Sequence, residues 1–207
     1  MYKKQMLFQR IICIAMLIAC AFCFLVSLGL ITDVYDTVMP SFAFIYEDEA
    51  GFIESIDLMG NNYYCASYYY EFQDFNNQIV LMSLALIVIS LTLFITCTNT
   101  RRKYYVGNYI STGIVAASSV FASIWAIFNI TNFVNKYNMI EFDKLEEICK
   151  LMDMEFHRSA FSIQMGYVAF AILLIATALL VFNLIWKIIV MKNEQKALSI
   201  VEEVNHD

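Results

Sequence analysis

The sequence predicts an all-α membrane protein, a four-transmembrane-helix bundle with a small extracellular β-meander in its first loop. Of 207 residues, 60% are apolar and only 15% are charged, whereas soluble domains are about half apolar with a quarter of their residues charged. The apolar excess lies in four stretches that contain no Asp, Glu or Arg: residues 11–31, 79–97, 109–133 and 161–190. About 20 apolar residues cross a bilayer, and the backbone must then be helical to satisfy its own hydrogen bonds. The chain therefore forms a single four-span membrane domain with outer loops 32–78 and 134–160.

The first apolar stretch has features of both a membrane span and a secretory signal. Lys3, Lys4 and Arg10 precede it, and Ser27-Leu28-Gly29 offers small residues of the kind found at cleavage sites. Its apolar run is, however, longer than the 7–15 residues typical of a signal peptide. We therefore expect it to be retained as the first span.

Basic residues predict the orientation of the chain. Nine of the 13 Lys and Arg residues precede the first stretch, separate the second from the third, or lie at or beyond the end of the fourth. Positive residues concentrate on the cytosolic side of membrane proteins. Both termini are thus predicted to be cytosolic, in a multi-pass protein of the plasma membrane.

The first outer loop is strongly acidic. Between Thr32 and Gln78 there are nine acidic residues and no basic one. Its central patch comprises Glu47, Asp48, Glu49, Glu54 and Asp57. Such a surface attracts cations or basic partners and argues against nucleic-acid binding. A Ca²⁺ site at residues 47–49 is the alternative to a solvated turn, but we predict no metal site and no cofactor.

Local patterns predict the structure of both outer loops. Alternating aromatic residues at 42–46, a second run at 52–58 and the aromatic run Tyr63–Phe72 predict three strands separated by polar turns. In the second loop, apolar residues recur at spacings of three and four from Leu145 to Phe156, which predicts a helix. Glu146 and Lys150 form a favourable pair on that helix.

Cysteines suggest two modifications. Cys65 and Cys149 lie one in each outer loop, where an oxidising exterior would allow a disulfide; the alternative is that Cys149 is an apolar-face residue of its helix. Cys97 precedes Arg101-Arg102-Lys103, which fits palmitoylation. The alternative there is an unmodified thiol.

Cys20-Ala21-Phe22-Cys23 has the spacing of a redox pair. Membrane thiol–disulfide oxidoreductases are also four-helix proteins, so this motif supplies an enzymatic alternative. A redox pair needs a stabilised thiolate, and no charged residue lies near these two in the sequence. Packing is therefore the favoured role for Cys20 and Cys23. A small transporter is a further alternative, disfavoured because the spans carry few ionisable residues.

Three stretches resemble the claudin and peripheral-myelin-protein superfamily. They are Gly51-Phe52-Ile53 followed by Cys65, Arg102-Lys103 followed by Ile110, Gly113 and Trp125, and the run from Phe161-Ser162 through Gly166-Tyr167. The resemblance implies a β-rich first loop and a non-enzymatic role in cell–cell contact, a paracellular barrier or an accessory subunit. Other membrane proteins, in cis or in trans, would be its partners within the bilayer. Ile53 stands where the family has Trp, and a cysteine is missing near Ile56, so the family's disulfide is not implied for Cys65.

The orientation can be tested with epitope tags at residue 1 and residue 207. Because the basic residues place both termini in the cytosol, each tag should stain only after the cells are permeabilised. Staining of the C-terminal tag on intact cells would contradict the four-span orientation.

Overall fold

The computed structural model describes residues 2–38, 64–98, 105–140, 142–151 and 155–204. These contain four long helices and one short one: α1 (Tyr2–Val38), α2 (Tyr64–Thr98), α3 (Tyr105–Tyr137), α4 (Phe142–Leu151) and α5 (Phe161–Val204). The described part of the chain is therefore all-helical.

The four long helices are each long and apolar enough to cross a membrane. The candidate spans are Lys3–Thr32, Tyr70–Cys97, Asn108–Tyr137 and Phe161–Asn193. For the described residues, the prediction of a multi-pass helical protein with four spans is thus confirmed. Each span extends past its apolar stretch at one end or both, because a helix that has already formed adds further residues without a second nucleation cost.

Buried residues on the long helices follow a near-heptad spacing. On α2 they include Phe72, Ile79, Leu86 and Leu93, separated by seven residues each. Such a repeat keeps one stripe of a helix against its neighbours, as in left-handed helix packing. The opposite faces carry exposed Leu, Ile, Val and Phe side chains, which suits helices whose outer faces meet lipid.

The helices contribute to two compact units. The first unit contains residues 1–21, 85–121 and 172–207, and the second contains residues 22–84 and 122–171. Each unit brings together parts of all four long helices, so both have an interior formed by helix–helix contacts. The second unit also contains α4.

The prediction of a third strand in the β-meander is wrong. Residues 64–72 belong to α2, and the described residues contain no strand; the first two predicted strands lie outside the described residues. High β-propensity of the tyrosines suggested a strand, but Tyr68, Phe72, Phe75 and Ile79 are buried at helical spacings of four, three and four. Extending the helix of the second span and burying these four side chains stabilise the helix by more than the weak preference of tyrosine for strands opposes it.

The helix predicted in the second outer loop is present as α4, which ends at Leu151. Phe156, the last residue of the predicted pattern, lies in a described segment that is not helical. Asp143 in its first turn and Lys150 in its last complement the helix dipole. Lys150 Nζ lies 2.7 Å from Glu146 Oε1, and this contact raises the pKa of Lys150. Both side chains are largely exposed, so the ion pair contributes little to stability.

Gly166 marks a close approach between helices of the second unit. A Cβ at this position would lie 2.9 Å from Ile130 Cδ1 of α3 and 3.5 Å from Leu30 Cδ2 of α1. Small residues of this kind let transmembrane helices approach closely. Gly113, in the first unit, has open space where its Cβ would stand.

This difference predicts opposite outcomes for two matched substitutions. Gly166→Leu should destabilise the protein by about 1–3 kcal/mol through overpacking, whereas Gly113→Leu should be neutral or stabilising. Both changes add the same side chain to a helix interior, so the gain in helix propensity cancels in the comparison. Denaturant unfolding of the detergent-solubilised variants measures the difference, and equal stabilities would contradict the close approach at Gly166.

Candidate functional site

A group of buried polar side chains occupies the interior of the first unit. This polar cluster contains Gln5, Gln9, Cys13, Cys97, Asn183 and Lys187, all at most 4% exposed. Gln5 Nε2 donates hydrogen bonds to Asn183 Oδ1 and Gln9 Oε1, each at 3.1 Å. Gln9 Nε2 donates to the carbonyl oxygen of Cys97 at 3.4 Å. These amides therefore connect α1 to both α2 and α5.

Two buried thiols belong to the polar cluster. Cys13 of α1 and Cys97 of α2 are both free and buried. The backbone carbonyl oxygen of Cys97 accepts the hydrogen bond from Gln9, and the neighbouring Thr96 hydroxyl donates to the carbonyl oxygen of Leu93 at 2.9 Å.

Lys187 is the ionisable side chain of the fourth apolar stretch. It is 4% exposed, and its Nζ lies 5.1 Å from the centroid of the Tyr109 ring. An ammonium over an aromatic face is attracted by the ring quadrupole. Because a charge in lipid is costly, its placement over the Tyr109 ring helps to explain why a Lys is tolerated there.

Cys20 and Cys23 have different partners. Cys20 Sγ lies 3.2 Å from Ser90 Oγ of α2, and Cys23 Sγ donates to the carbonyl oxygen of Ala169 in α5 at 3.4 Å. Both side chains are fully buried. The two cysteines therefore contact separate helices, as small packing residues do.

An aromatic cluster occupies the second unit. Its members are Tyr68, Phe72 and Phe75 of α2, Trp125, Phe133 and Tyr137 of α3, and Phe142 of α4. Ring centroids lie 4.8–6.1 Å apart in edge-to-face, tilted and stacked pairs. Such pairs add about 0.5–1.5 kcal/mol each beyond the burial of their area. The cluster therefore fixes the first turns of α2 against α3 and α4.

Polar contacts surround the aromatic cluster. Lys136 of α3 forms an ion pair with Glu71 of α2, and Tyr137 Oη donates to the carbonyl oxygen of Ser159 at 3.0 Å. The Arg158 guanidinium lies 4.1 Å from the centroid of the Phe142 ring. Burial and the neighbouring Tyr137 raise the pKa of Tyr68, so this phenol stays neutral at physiological pH. These contacts join α2, α3 and α4 to the segment before α5.

The acidic patch of the first loop lies outside the described residues. It comprises Glu47, Asp48, Glu49, Glu54 and Asp57. In the chain the patch follows α1 and precedes α2, which begins at Tyr64. Its role in binding stays a prediction.

One of the two predicted cysteine modifications depends on side chains outside the described set. Cys65 lies in α2 and Cys149 in α4, but neither side chain is described, so their disulfide stays a prediction. Palmitoylation of Cys97 also stays a prediction. Cys97 is 2% exposed, so acylation would require its side chain to leave the interior. Within the described part of the chain, no three His, Cys, Asp or Glu side chains form a group that would hold a metal ion.

The sequence interpretation missed the polar cluster. The spacing of four residues between Gln5, Gln9 and Cys13 places them on one face of α1, and this could be predicted from the sequence. Their partners Cys97, Asn183 and Lys187 belong to other helices, and sequence spacing carries no signal for contacts between helices.

The described helices define a multi-pass membrane protein with a polar interior in one unit and an aromatic interior in the other. Comparison with protein-family models, curated proteins and solved structures finds no match for the chain.

The separate partners of Cys20 and Cys23 lead to a prediction. Replacing both with Ala should leave membrane expression intact and lower the free energy of unfolding by on the order of 1 kcal/mol per site. Cys20→Ser with Cys23→Ser, which retains a hydrogen-bonding group at each site, is the matched control. A thiol-exchange activity that disappears in the Ala variant at normal expression would instead establish the oxidoreductase alternative.

Proposed function

We propose that this chain is a non-enzymatic tetraspan protein of the plasma membrane that makes contacts through its acidic first loop. Its partners are cations or the basic surfaces of other membrane proteins, in cis or in trans. Cell–cell contact, a paracellular barrier and an accessory subunit are the settings that such a loop would serve. The orientation follows from the basic residues, which place both termini and residues 101–103 in the cytosol.

The aromatic cluster is the observation that supports this proposal most directly. It holds the start of α2 against Phe133 and Tyr137 of α3 and, through Tyr137, against Phe142 of α4. A binding segment attached to a fixed support loses less conformational entropy when it meets a partner. The acidic patch ends at Asp57 and α2 begins at Tyr64, so a short stretch of chain connects the acidic residues to the helix that the aromatic cluster holds.

The negative charge of the first outer loop indicates that its partners are positively charged. Residues 32–78 contain nine acidic residues, and Glu71 is paired with Lys136 from another helix. The five acidic residues of the central patch have no basic residue between Thr32 and Gln78 to offset them. A concentrated negative charge accelerates the approach of cationic partners and fixes the orientation in which they dock.

The interior of the described helices is better suited to packing than to catalysis or transport. Cys20 and Cys23 bond to separate helices, which supports a packing role for each. Ser27 Oγ bonds to Ser83 Oγ, and Gln5 to Asn183, so polar side chains of different helices pair with each other. Transport paths are marked by ionisable groups, and Lys187 is the one such residue within the four apolar stretches.

The claudin resemblance adds limited support. It implies the same class of function, but it also implies a β-rich first loop, and residues 64–72 at the end of that loop are helical. The proposal therefore rests on the charge of the loop and on its support, and it would hold for a tetraspan protein outside that superfamily.

Neutralising the central patch tests the proposal. The variant Glu47→Gln, Asp48→Asn, Glu49→Gln removes three charges that lie outside the apolar stretches and the aromatic cluster, so folding should survive. In an epithelial monolayer that expresses the protein, the variant should lower any preference for Na⁺ over Cl⁻. Where the protein acts as a contact or accessory protein, chemical cross-linking to its partners should fall more at low salt than at high salt, because ions screen surface charges with a Debye length of about 8 Å at physiological salt.

The matched control is Glu194→Gln, Glu202→Gln, Glu203→Gln, which removes the same number of charges from the C-terminal region. This control should leave both readouts unchanged. If the loop variant reaches the surface and neither permeability nor cross-linking responds, the acidic patch has no role in binding.

A further inference from the structure

Aromatic side chains of α1 and α5 meet at the outer surface of the first unit. The centroid of the Phe8 ring lies 5.4 Å from that of Trp186 and 6.3 Å from that of Phe182. Phe182 is 56% exposed, and Phe8 and Trp186 are half-buried. These three rings therefore line a seam between the two helices that is open to the surroundings of the protein. We call it the aromatic seam.

Exposed side chains continue the aromatic seam along both helices and change from apolar to basic toward the helix ends. On α5, Ile185 and Ile189 are exposed, and the exposed Lys192 follows Ile189 by three residues. On α1, the exposed Lys4 precedes Phe8 by four residues, which is about one helical turn. Residues three and four apart are neighbours on the surface of a helix. Each lysine thus continues the face on which its helix carries the seam.

The two lysines lie at the same end of the aromatic seam. Thr177 of α5 is hydrogen-bonded to Met16 of α1, whereas Trp186 contacts Phe8, so the two helices run antiparallel. At a rise of 1.5 Å per residue, each lysine lies roughly 6–9 Å beyond the ring of its own helix, in the same direction. An apolar surface and a pair of amines therefore follow one another along the seam.

The helices that form the aromatic seam carry only positive charge around it. Residues 1–21 and 172–193 contain five basic residues and no Asp or Glu. Basic residues close to the membrane surface attract anionic lipids, and a Lys near the end of a span keeps its stem on apolar surface while its amine reaches the headgroups. The charge and the order of the groups along the seam therefore match a lipid, which presents a phosphate next to an acyl chain.

We propose that the aromatic seam binds an anionic phospholipid, with Lys4 and Lys192 at its phosphate and an acyl chain against Phe8, Phe182 and Trp186. Lipid is the occupant because the seam lies on the exposed face of two candidate membrane spans. A zwitterionic lipid offers the same acyl chain, but its own cation offsets the phosphate, so it should bind less tightly. The proposal does not rest on the contact function, since the acidic patch belongs to neither helix.

Quenching of tryptophan fluorescence by brominated lipids tests the proposal, because bromine on an acyl chain quenches only the rings that the chain touches. The protein contains two tryptophans, and Trp125→Phe leaves Trp186 as the single reporter. The full-length variant is reconstituted into phosphatidylcholine vesicles that contain a small fraction of brominated phosphatidylserine or, for comparison, of brominated phosphatidylcholine. At equal mole fraction, the phosphatidylserine should quench Trp186 several-fold more strongly. Equal quenching by the two lipids overturns the proposal.

The wild-type protein provides a second measurement that does not depend on the folding of Trp125→Phe. With both tryptophans present, the difference between the two brominated lipids should persist with a smaller amplitude, because only Trp186 belongs to the aromatic seam. Absence of a difference in the wild-type protein would equally contradict the proposal.

Matched removals of charge identify the contacts with the headgroup. Lys4→Gln with Lys192→Gln should abolish the difference between the two lipids and leave quenching by brominated phosphatidylcholine unchanged. The control, Lys3→Gln with Lys150→Gln, also removes two exposed lysines. Lys3 lies roughly 140° around α1 from Phe8, and Lys150 belongs to α4, so the difference should persist in the control. Its loss in both variants would show a general attraction to the membrane surface and not a site at the seam.

Soluble glycerophosphoserine distinguishes the lipid from a free phosphate compound. It presents the same headgroup without acyl chains, so at the concentration of the brominated phosphatidylserine it should leave the quenching of Trp186 unchanged. Relief of quenching would show that the lysines bind the phosphate without help from the rings, and it would overturn the assignment of the seam to a lipid.

Discussion

The hydrocarbon interior of a bilayer offers neither donors nor acceptors, so a chain that crosses it must find every hydrogen-bond partner within itself. The four long helices satisfy their backbones in this way. Some of their polar side chains also meet one another, as in the interior pairs Gln5–Asn183 and Ser27–Ser83. In water such pairs would have little effect on which helices pack together. Between helices in lipid they help to select one arrangement, although each pair contributes well under 2 kcal/mol.

The hydrocarbon environment also explains which parts of the fold could be predicted from the sequence. Spans follow from composition, because lipid demands long apolar helices and tolerates few charges in them. The error at residues 64–72 arose because tyrosines favour strands locally while the spacing of Tyr68, Phe72 and Phe75 is that of a helix. Periodicity was the stronger signal there, since burial against Phe133 contributes more than an intrinsic preference. The absence of Gly and Pro from Tyr64 to Cys97 allows the helix to continue unbroken.

Contacts between helices were not predictable from spacing. The sequence drew attention to Cys20 and Cys23 because they share one helix and a familiar interval, yet their sulfur atoms bond to Ser90 and Ala169. Gln9 and Cys97 are 88 positions apart, and only the packing of α1 on α2 brings the Gln9 amide to the Cys97 carbonyl oxygen. An interval within one helix shows which residues share a face, whereas the contacts of that face depend on the neighbouring helix.

The lengths of the spans bear on how the helices end at the membrane surface. The four candidate spans contain 28 to 33 residues, and at 1.5 Å per residue a helix of that size measures roughly 42–50 Å. The hydrocarbon layer is about 27 Å thick in the endoplasmic reticulum and about 32–33 Å in sterol-rich plasma membrane. The helices are longer than either layer, so charged residues near their ends, such as Lys3, Glu71 and Lys136, have enough helix to reach the headgroups or the water. The excess length therefore allows each span to keep its charges out of the hydrocarbon without breaking the helix.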